Sequence, residues 1–338
     1  MTAAICHRLN GLEPDNLLAF LALIGLLRAL EAIDRSRGEK ERLVPRAAWS
    51  ITTPPLRPIL FLAQALTPHE VTEIAAQGVA AIGVTHDFGG RNDLNLSRLE
   101  CRELLQVEAK AANVNRRGRI DLLAALMSDA AIKDDKTEVI DPTPLCLLFG
   151  QGHQHFLARL SSVPREPAPP PRGKGRKRAS LSASECLAEA LFQPWRREDP
   201  TFSFRWDPDE DVRYALMAGD PTDPVYRSGT QHGANRLAAV GLAALTLAFK
   251  TRGGRVRQTV IGGEFGTSGF SFAWPIWREP ATLSAIRSLL AHPDLRDPGS
   301  LDHLGIDHVV AARRISVGKY MNFSRARSLR LTDPTHAG

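Results

Sequence analysis

At 338 residues the chain is long enough to bury a sizeable core, with about two domains as the length-based expectation, and 43% hydrophobic with 24% charged residues excludes a disordered or fibrous class. A formal net charge of +6 and a pI near 9.4 favour an anionic partner, but the excess is mild for this length, so the distribution of charge matters more than its sum. Cys6, Cys101, Cys146 and Cys186 lie far apart with no CxxC pair, which excludes a disulfide framework or zinc ribbon and reads as reduced thiols in a cytoplasmic protein.

In chain order, the first clear element is the apolar run Leu17–Leu27. It is shorter than the roughly 20 residues of a membrane span. Glu13 and Asp15 stand where a signal peptide would be basic, so the run reads as a buried helix and no membrane association is expected. Pro14 suits a first helical turn, and the pattern continues to about Ile33, apolar on nearly every side. Thr67-Pro68-His69-Glu70 is a capping box that opens a short helix ending near Gln77. Leu99–Ala112 and Arg119–Ala131 also read as helices. Ser161–Ser180 holds "VPREPAPPPRGKGRKRAS", a composition that opposes packing, and reads as an extended or flexible loop.

Beyond it the pattern changes. Phe202, Phe204 and Trp206 alternate with Thr201, Ser203 and Arg205, and Phe270, Phe272, Trp274 and Ile276 alternate in the same way, both as in strands. Arg257–Ile261 and His308–Val317 are strand-like, while Ala234–Phe249 and Thr282–Leu290 read as apolar helices. The expectation is an α+β fold: a helix-rich N-terminal half (1–160), a Pro/Gly/basic loop (161–180) and a mixed strand–helix C-terminal half (181–330) with a basic end.

That end is the leading candidate site. Arg313, Arg314, Lys319, Arg325, Arg327 and Arg330 are interleaved with Tyr320 and Phe323, and phosphates need cationic donors while exposed aromatics stack on unpaired bases. A solvated edge strand is the alternative. A second cluster, Arg172, Lys174, Arg176, Lys177 and Arg178, lies in the loop and could grip a phosphate backbone or be plain linker. His232-Gly233-Ala234-Asn235-Arg236 precedes an apolar helix, so its N–H groups with Arg236 could hold an anion, or simply cap and pack. Asp207, Asp209, Glu210 and Asp211 read as capping or as salt bridges to Arg205 and Arg213 rather than as a metal site. The Trp274-Pro275-Ile276-Trp277 stretch reads as core or interface. A nuclease alternative needs Asp93 with Glu108-x-Lys110 on a strand, and this stretch reads as helix instead. No complete catalytic, nucleotide-binding or metal constellation is present in the pattern, and no cofactor is expected.

Five stretches together carry a family resemblance: "LNGLEPDNLLAFLALIGLLRALE" (Leu9 to Glu31), "FRWDPDEDVRYAL" (Phe204 to Leu216), "HGANRLAAVGLAAL" (His232 to Leu245), "SGFSFAWPIW" (Ser268 to Trp277) and "ARRISVGKYMNFSRARSLR" (Ala312 to Arg330). They resemble proteins encoded in type I-G (formerly I-U) CRISPR loci, the large-subunit-like and helicase-extension families. The resemblance implies a non-catalytic subunit of an antiviral ribonucleoprotein complex. Its partners would be other effector subunits and guide RNA or target DNA, with chemistry left to a separate helicase–nuclease that a helicase-extension protein would dock.

Overall fold

The computed structural model describes residues 3–112, 117–134, 136–148, 155–171, 180–210, 229–252, 255–297, 299–317 and 320–329. Strand β1 (Ala4–Arg8) pairs antiparallel with β3 (Pro58–Leu66), whose other edge carries β2 (Arg46–Trp49). Between β1 and β2 runs α1 (Leu17–Asp34), the helix expected from the apolar run. Asn16 caps it, its side-chain oxygen accepting from the Ala19 N–H at 3.3 Å. Only Arg28, Glu31, Ala32 and Ile33 are half-buried; every other residue of α1 is buried, as a helix apolar on all sides requires.

Three elements close around α1. A β-carbon on Gly25 would lie 1.8 Å from the Leu237 carbonyl oxygen of α7 (His232–Gly241), and one on Gly78 of α2 (Pro68–Gly83) would lie 2.1 Å from the Ala29 carbonyl oxygen. Glycine at both places lets the helix backbones touch. On a third side, Phe20 stacks on Trp274 of β9 (Gly269–Trp277) with centroids 5.2 Å apart, and the Trp274 indole N–H donates to the Pro14 carbonyl at 3.1 Å. The capping box Thr67–Glu70 starts α2 as expected. The helix runs past Gln77 because Gly78 is there for this contact and not as a stop.

The remaining helices are α3 (Arg98–Ala111), α4 (Arg117–Leu126), α5 (Phe156–Ser162), α6 (Ala183–Phe192) and α8 (Leu283–Leu290). Ser97–Glu100 and Ser182–Glu185 capping boxes start α3 and α6. β4 (Ile132–Asp134) and β5 (Val139–Ile140) form a short ladder. The C-terminal half holds an antiparallel sheet in the order β11 (Tyr320–Phe323), β10 (Ile306–Val317), β9, β8 (Gly263–Gly266), with β12 (Arg327–Ser328) also pairing β10. β6 (Leu247–Arg252) and β7 (Arg255–Val260) form a separate two-stranded ladder. The fold is α+β, as the pattern indicated, and the buried apolar residues form one continuous cluster drawn from both halves. Among the described residues no helix is long and apolar enough to cross a membrane.

Two boundaries shift: the first helix starts at Leu17 behind Asn16, leaving Pro14 outside it, and the helix read over Arg119–Ala131 ends at Leu126. Two segments differ in kind. Residues 201–206 are not a strand: Arg205 has a left-handed φ of 64°, and Ser203 and Arg205 are buried along with Phe204 and Trp206. The alternation marks a buried irregular segment whose rings stack on each other (Phe204–Trp206, 4.5 Å) and not a half-exposed strand. The helix read over Ala234–Phe249 ends at Gly241; a 3-10 turn over Leu242–Ala244 follows, and 247–252 is strand β6. An uninterrupted apolar run does not separate buried helix from strand by periodicity. The early part of the 161–180 loop is anchored: the Pro164 and Pro167 carbonyls accept from the Arg236 guanidinium at 3.5 and 2.8 Å. Trp274 and Trp277 are core, with 0% and 2% exposure.

Candidate nucleic-acid interface

The basic C-terminal end divides into residues with different fates. Arg313 is exposed on β10, and Arg327 is exposed on β12. Arg314 is half-buried: its guanidinium lies 5.8 Å above the Phe265 ring and 5.7 Å above Phe270, and donates to the Pro144 carbonyl at 3.4 Å. Burial lowers its pKa from the ordinary arginine value. Tyr320 opens β11 opposite Val317. Lys319 and Arg330 lie outside the described residues, as do Arg172, Lys174, Arg176, Lys177 and Arg178 of the loop cluster.

Three candidates take structural roles. Phe323 is fully buried, edge-on to Phe270 at 6.2 Å, so its ring is packing and not a stacking surface for bases. Arg325 meets three carboxylates, Glu13 at 3.0 Å, Asp15 at 2.9 Å and Asp209, hydrogen bonds that raise its pKa. This arginine ties the chain end to the start of α1 instead of facing a phosphate. Arg236 is 1% exposed and spent on the Pro164 and Pro167 carbonyls. The helix N-terminus beside it already has an anion, because Asp199 accepts the His232 N–H at 3.0 Å. Asp207 likewise pairs with Arg197 at 2.7 Å, and it also accepts from the Asn16 amide at 2.9 Å and from the Asp209 N–H at 3.1 Å.

A further basic surface lies outside the C-terminal run, on the β6–β7 ladder. In the β6–β7 ladder, Lys250 stands directly opposite Arg257, and Arg252 is register partner to Arg255. Lys250 and Arg257 are exposed and share a face; Phe249 (45% exposed) and Gln258 (0%) sit opposite each other on the other. Like charges directly across a strand pair are destabilising. This ladder joins no larger sheet that would compel the pairing. Lys250 reaches Glu264 at 2.8 Å, which also faces Arg296 at 3.4 Å. Arg257, Lys133 and Arg314 act together on Asp141, whose carboxyl accepts the Gln258 N–H and is nonetheless raised in pKa, chiefly by burial. Five cations from four parts of the fold therefore surround two carboxylates. The signal for this hairpin was available in "KTRGGRVR": cations at alternating positions on either side of Gly253-Gly254, a dipeptide suited to a tight hairpin.

No family model, curated protein or solved structure matches this chain. Its own residues also speak to the nuclease alternative. Glu108 lies on helix α3 and is bonded to Arg119 at 2.6 Å; Asp93 is bonded to His155 at 2.9 Å. Glu108 and Lys110, two apart on a helix, do not share a face. Among the described residues no three His, Cys, Asp or Glu side chains gather in a way that could hold a metal ion.

Proposed function

We propose that this chain is a non-catalytic subunit of a type I-G CRISPR interference complex that contacts guide RNA or target DNA. The observation that carries the nucleic-acid part of this reading is the β6–β7 ladder, where the exposed Lys250 faces the exposed Arg257, with the exposed Lys133 near the same Asp141 that Arg257 acts on and the half-buried Arg314 and Arg296 behind them. Phosphates would relieve the repulsion between these cations, and release of their counterions would supply affinity. The sequence resemblance is what supports the CRISPR context and the other effector subunits as partners.

The test is anisotropy titration of labelled RNA and DNA, single-stranded and duplex, over a salt series. Binding should weaken steeply with salt, by about 0.9 log units of affinity per log unit of salt for each phosphate contact on duplex. Lys250→Ala with Arg257→Ala should lower affinity and reduce that slope by about two contacts. Exposed charges contribute only about 0–1 kcal/mol to folding, so the thermal midpoint should stay nearly unchanged. Salt-independent binding, or a double variant with the wild-type slope, removes the hairpin from the interface. A double variant that keeps nucleic acid but no longer co-purifies with its genomic neighbours makes the hairpin a protein-docking surface.

A further inference from the structure

A second site lies elsewhere, in a cleft of about 820 Å³ where α1, the end of α2, the end of α3 and the start of α4 meet. That volume is in the range of small-molecule sites. Its walls are apolar at Ile82 and Val84, the latter 70% exposed at the rim. Arg28 sits in an otherwise buried stretch of α1 and reaches the cleft floor. Among the described residues its guanidinium has one hydrogen bond, to the Val240 carbonyl, and no ion pair. Burial pushes its pKa down to about 10, and the neighbouring Asp121 and Glu31 carboxylates offset that only in part.

The acidic groups of the cleft are already engaged. Glu108 is bonded to Arg119 at 2.6 Å, and Asp121 faces Arg117 at 3.5 Å. Arg119 Nη1 donates to the Thr85 and Asp87 carbonyls, which pins the wall in place. Arg28 and the exposed Arg35 feel Glu31, and Arg28 feels Asp121, but among the described residues neither arginine has a hydrogen bond to a carboxylate, so both can still receive an anion.

Gly118 keeps the floor open. A β-carbon there would meet Thr85 at 3.6 Å and the Arg28 Nη2 at 3.8 Å, ordinary contact distances, and its φ is not in the left-handed region. Packing and backbone geometry therefore do not require glycine at this position, and a helix favours alanine over it. This contrasts with Gly25 and Gly78, where the next helix leaves no room. Any larger side chain at Gly118 would project between Thr85 and Arg28, into the approach to the guanidinium.

We propose that this cleft binds a nucleoside 5′-phosphate, its phosphate on Arg28 and Arg35 and its base against Ile82 and Val84. The source is a free nucleotide or the 5′-phosphorylated end of a strand. Paired arginine forks match phosphate geometry, and the apolar walls suit a flat ring. The site is independent of the β6–β7 surface.

Calorimetry with adenosine monophosphate, adenosine and inorganic phosphate tests it, together with a short oligonucleotide carrying either a 5′-phosphate or a 5′-hydroxyl. Loss of a charge-assisted contact costs about tenfold or more in affinity, so adenosine should bind at least that much more weakly than its monophosphate, and Arg28→Met should weaken the monophosphate equally. Gly118→Leu should abolish binding while the thermal midpoint holds. Ala111→Trp, on the exposed opposite wall, does the same should the first variant fold poorly. Lys250→Ala with Arg257→Ala should leave this binding untouched, which separates its failure from that of the nucleic-acid reading. Binding of the monophosphate identifies a free nucleotide; a preference confined to the 5′-phosphorylated oligonucleotide identifies a strand end. No phosphate preference with either probe, or wild-type affinity in both plugged variants, overturns the proposal.

Discussion

Three buried titratable residues with large shifts shape how the fold responds to pH. Glu210 accepts a hydrogen bond from the Ser203 hydroxyl, and burial pushes its carboxyl up from 4.5 to about 7. Its folded form keeps a proton that the unfolded chain loses, so its contribution is full below pH 4.5 and falls away as pH rises to about 7. His86 donates from Nδ1 to the Leu160 carbonyl at 3.0 Å, and burial pushes it down to about 3. His232 donates from Nε2 to the Glu166 carbonyl at 2.9 Å and is pushed down to about 4. Both rings stay neutral in the fold, so their contributions are present above pH 6.5 and lost as pH falls below it. Between 4.5 and 6.5 these two histidines oppose this one carboxyl, so the three together contribute a rise of about 1.4 kcal/mol per pH unit. Of the three, only Glu210 still acts above 6.5, in the other direction. Urea unfolding should therefore give its highest midpoint near pH 6.5, and Glu210→Gln should remove the decline from 6.5 to 8. A higher midpoint at pH 5 than at 6.5 would contradict these assignments.

At the scale of elements, α7 shows how a helix terminus is used up internally. Asp199 is fully buried, accepts the His232 N–H at 3.0 Å and exchanges backbone hydrogen bonds with Thr230. Removing its carboxylate leaves a buried N–H unanswered beside the positive helix end. Asp199→Ala should cost about 1–3 kcal/mol in chemical denaturation, and Asp199→Asn less, because the amide oxygen still accepts. Equal losses for the two variants would place the effect elsewhere. The β6–β7 ladder is the opposite case. Its Lys250–Arg257 pairing does not help the fold, which is why the same kind of substitution is expected there to change binding rather than stability.

At the scale of the whole molecule, the α1–α7 seam joins the two halves of the chain. Gly25 carries it: its missing side chain is what allows contact with the Leu237 carbonyl. Gly25→Val would force the helices apart along a core shared by both halves, and should destabilise by more than about 3 kcal/mol, the upper range for overpacking. Gly118→Ala, whose β-carbon would meet its neighbours only at ordinary contact distances, is the matched control and should leave the urea midpoint at or above wild type. A Gly25→Val protein as stable as wild type would show that the seam can open without loss.

Some of this was settled by the sequence alone. α1 follows from the apolar run Leu17–Leu27, although its cap is Asn16 and Pro14 lies outside the helix, α2 from the Thr67–Glu70 box, and β9 from alternating rings, because their signals are local and their burial is consistent along the element. The α+β class follows from the same patterns. The tertiary structure decided the rest for reasons no local pattern holds. The arginines of the C-terminal run look alike in sequence, yet Arg313 meets solvent, Arg314 meets two rings, and Arg325 meets carboxylates from positions 13, 15 and 209. Gly25 and Gly118 are both helical glycines, and only the position of the next helix makes one a packing requirement and the other an opening. A charge becomes a binding group or a structural one according to which distant residues the fold brings within about 4 Å of it, and that distance is set by packing.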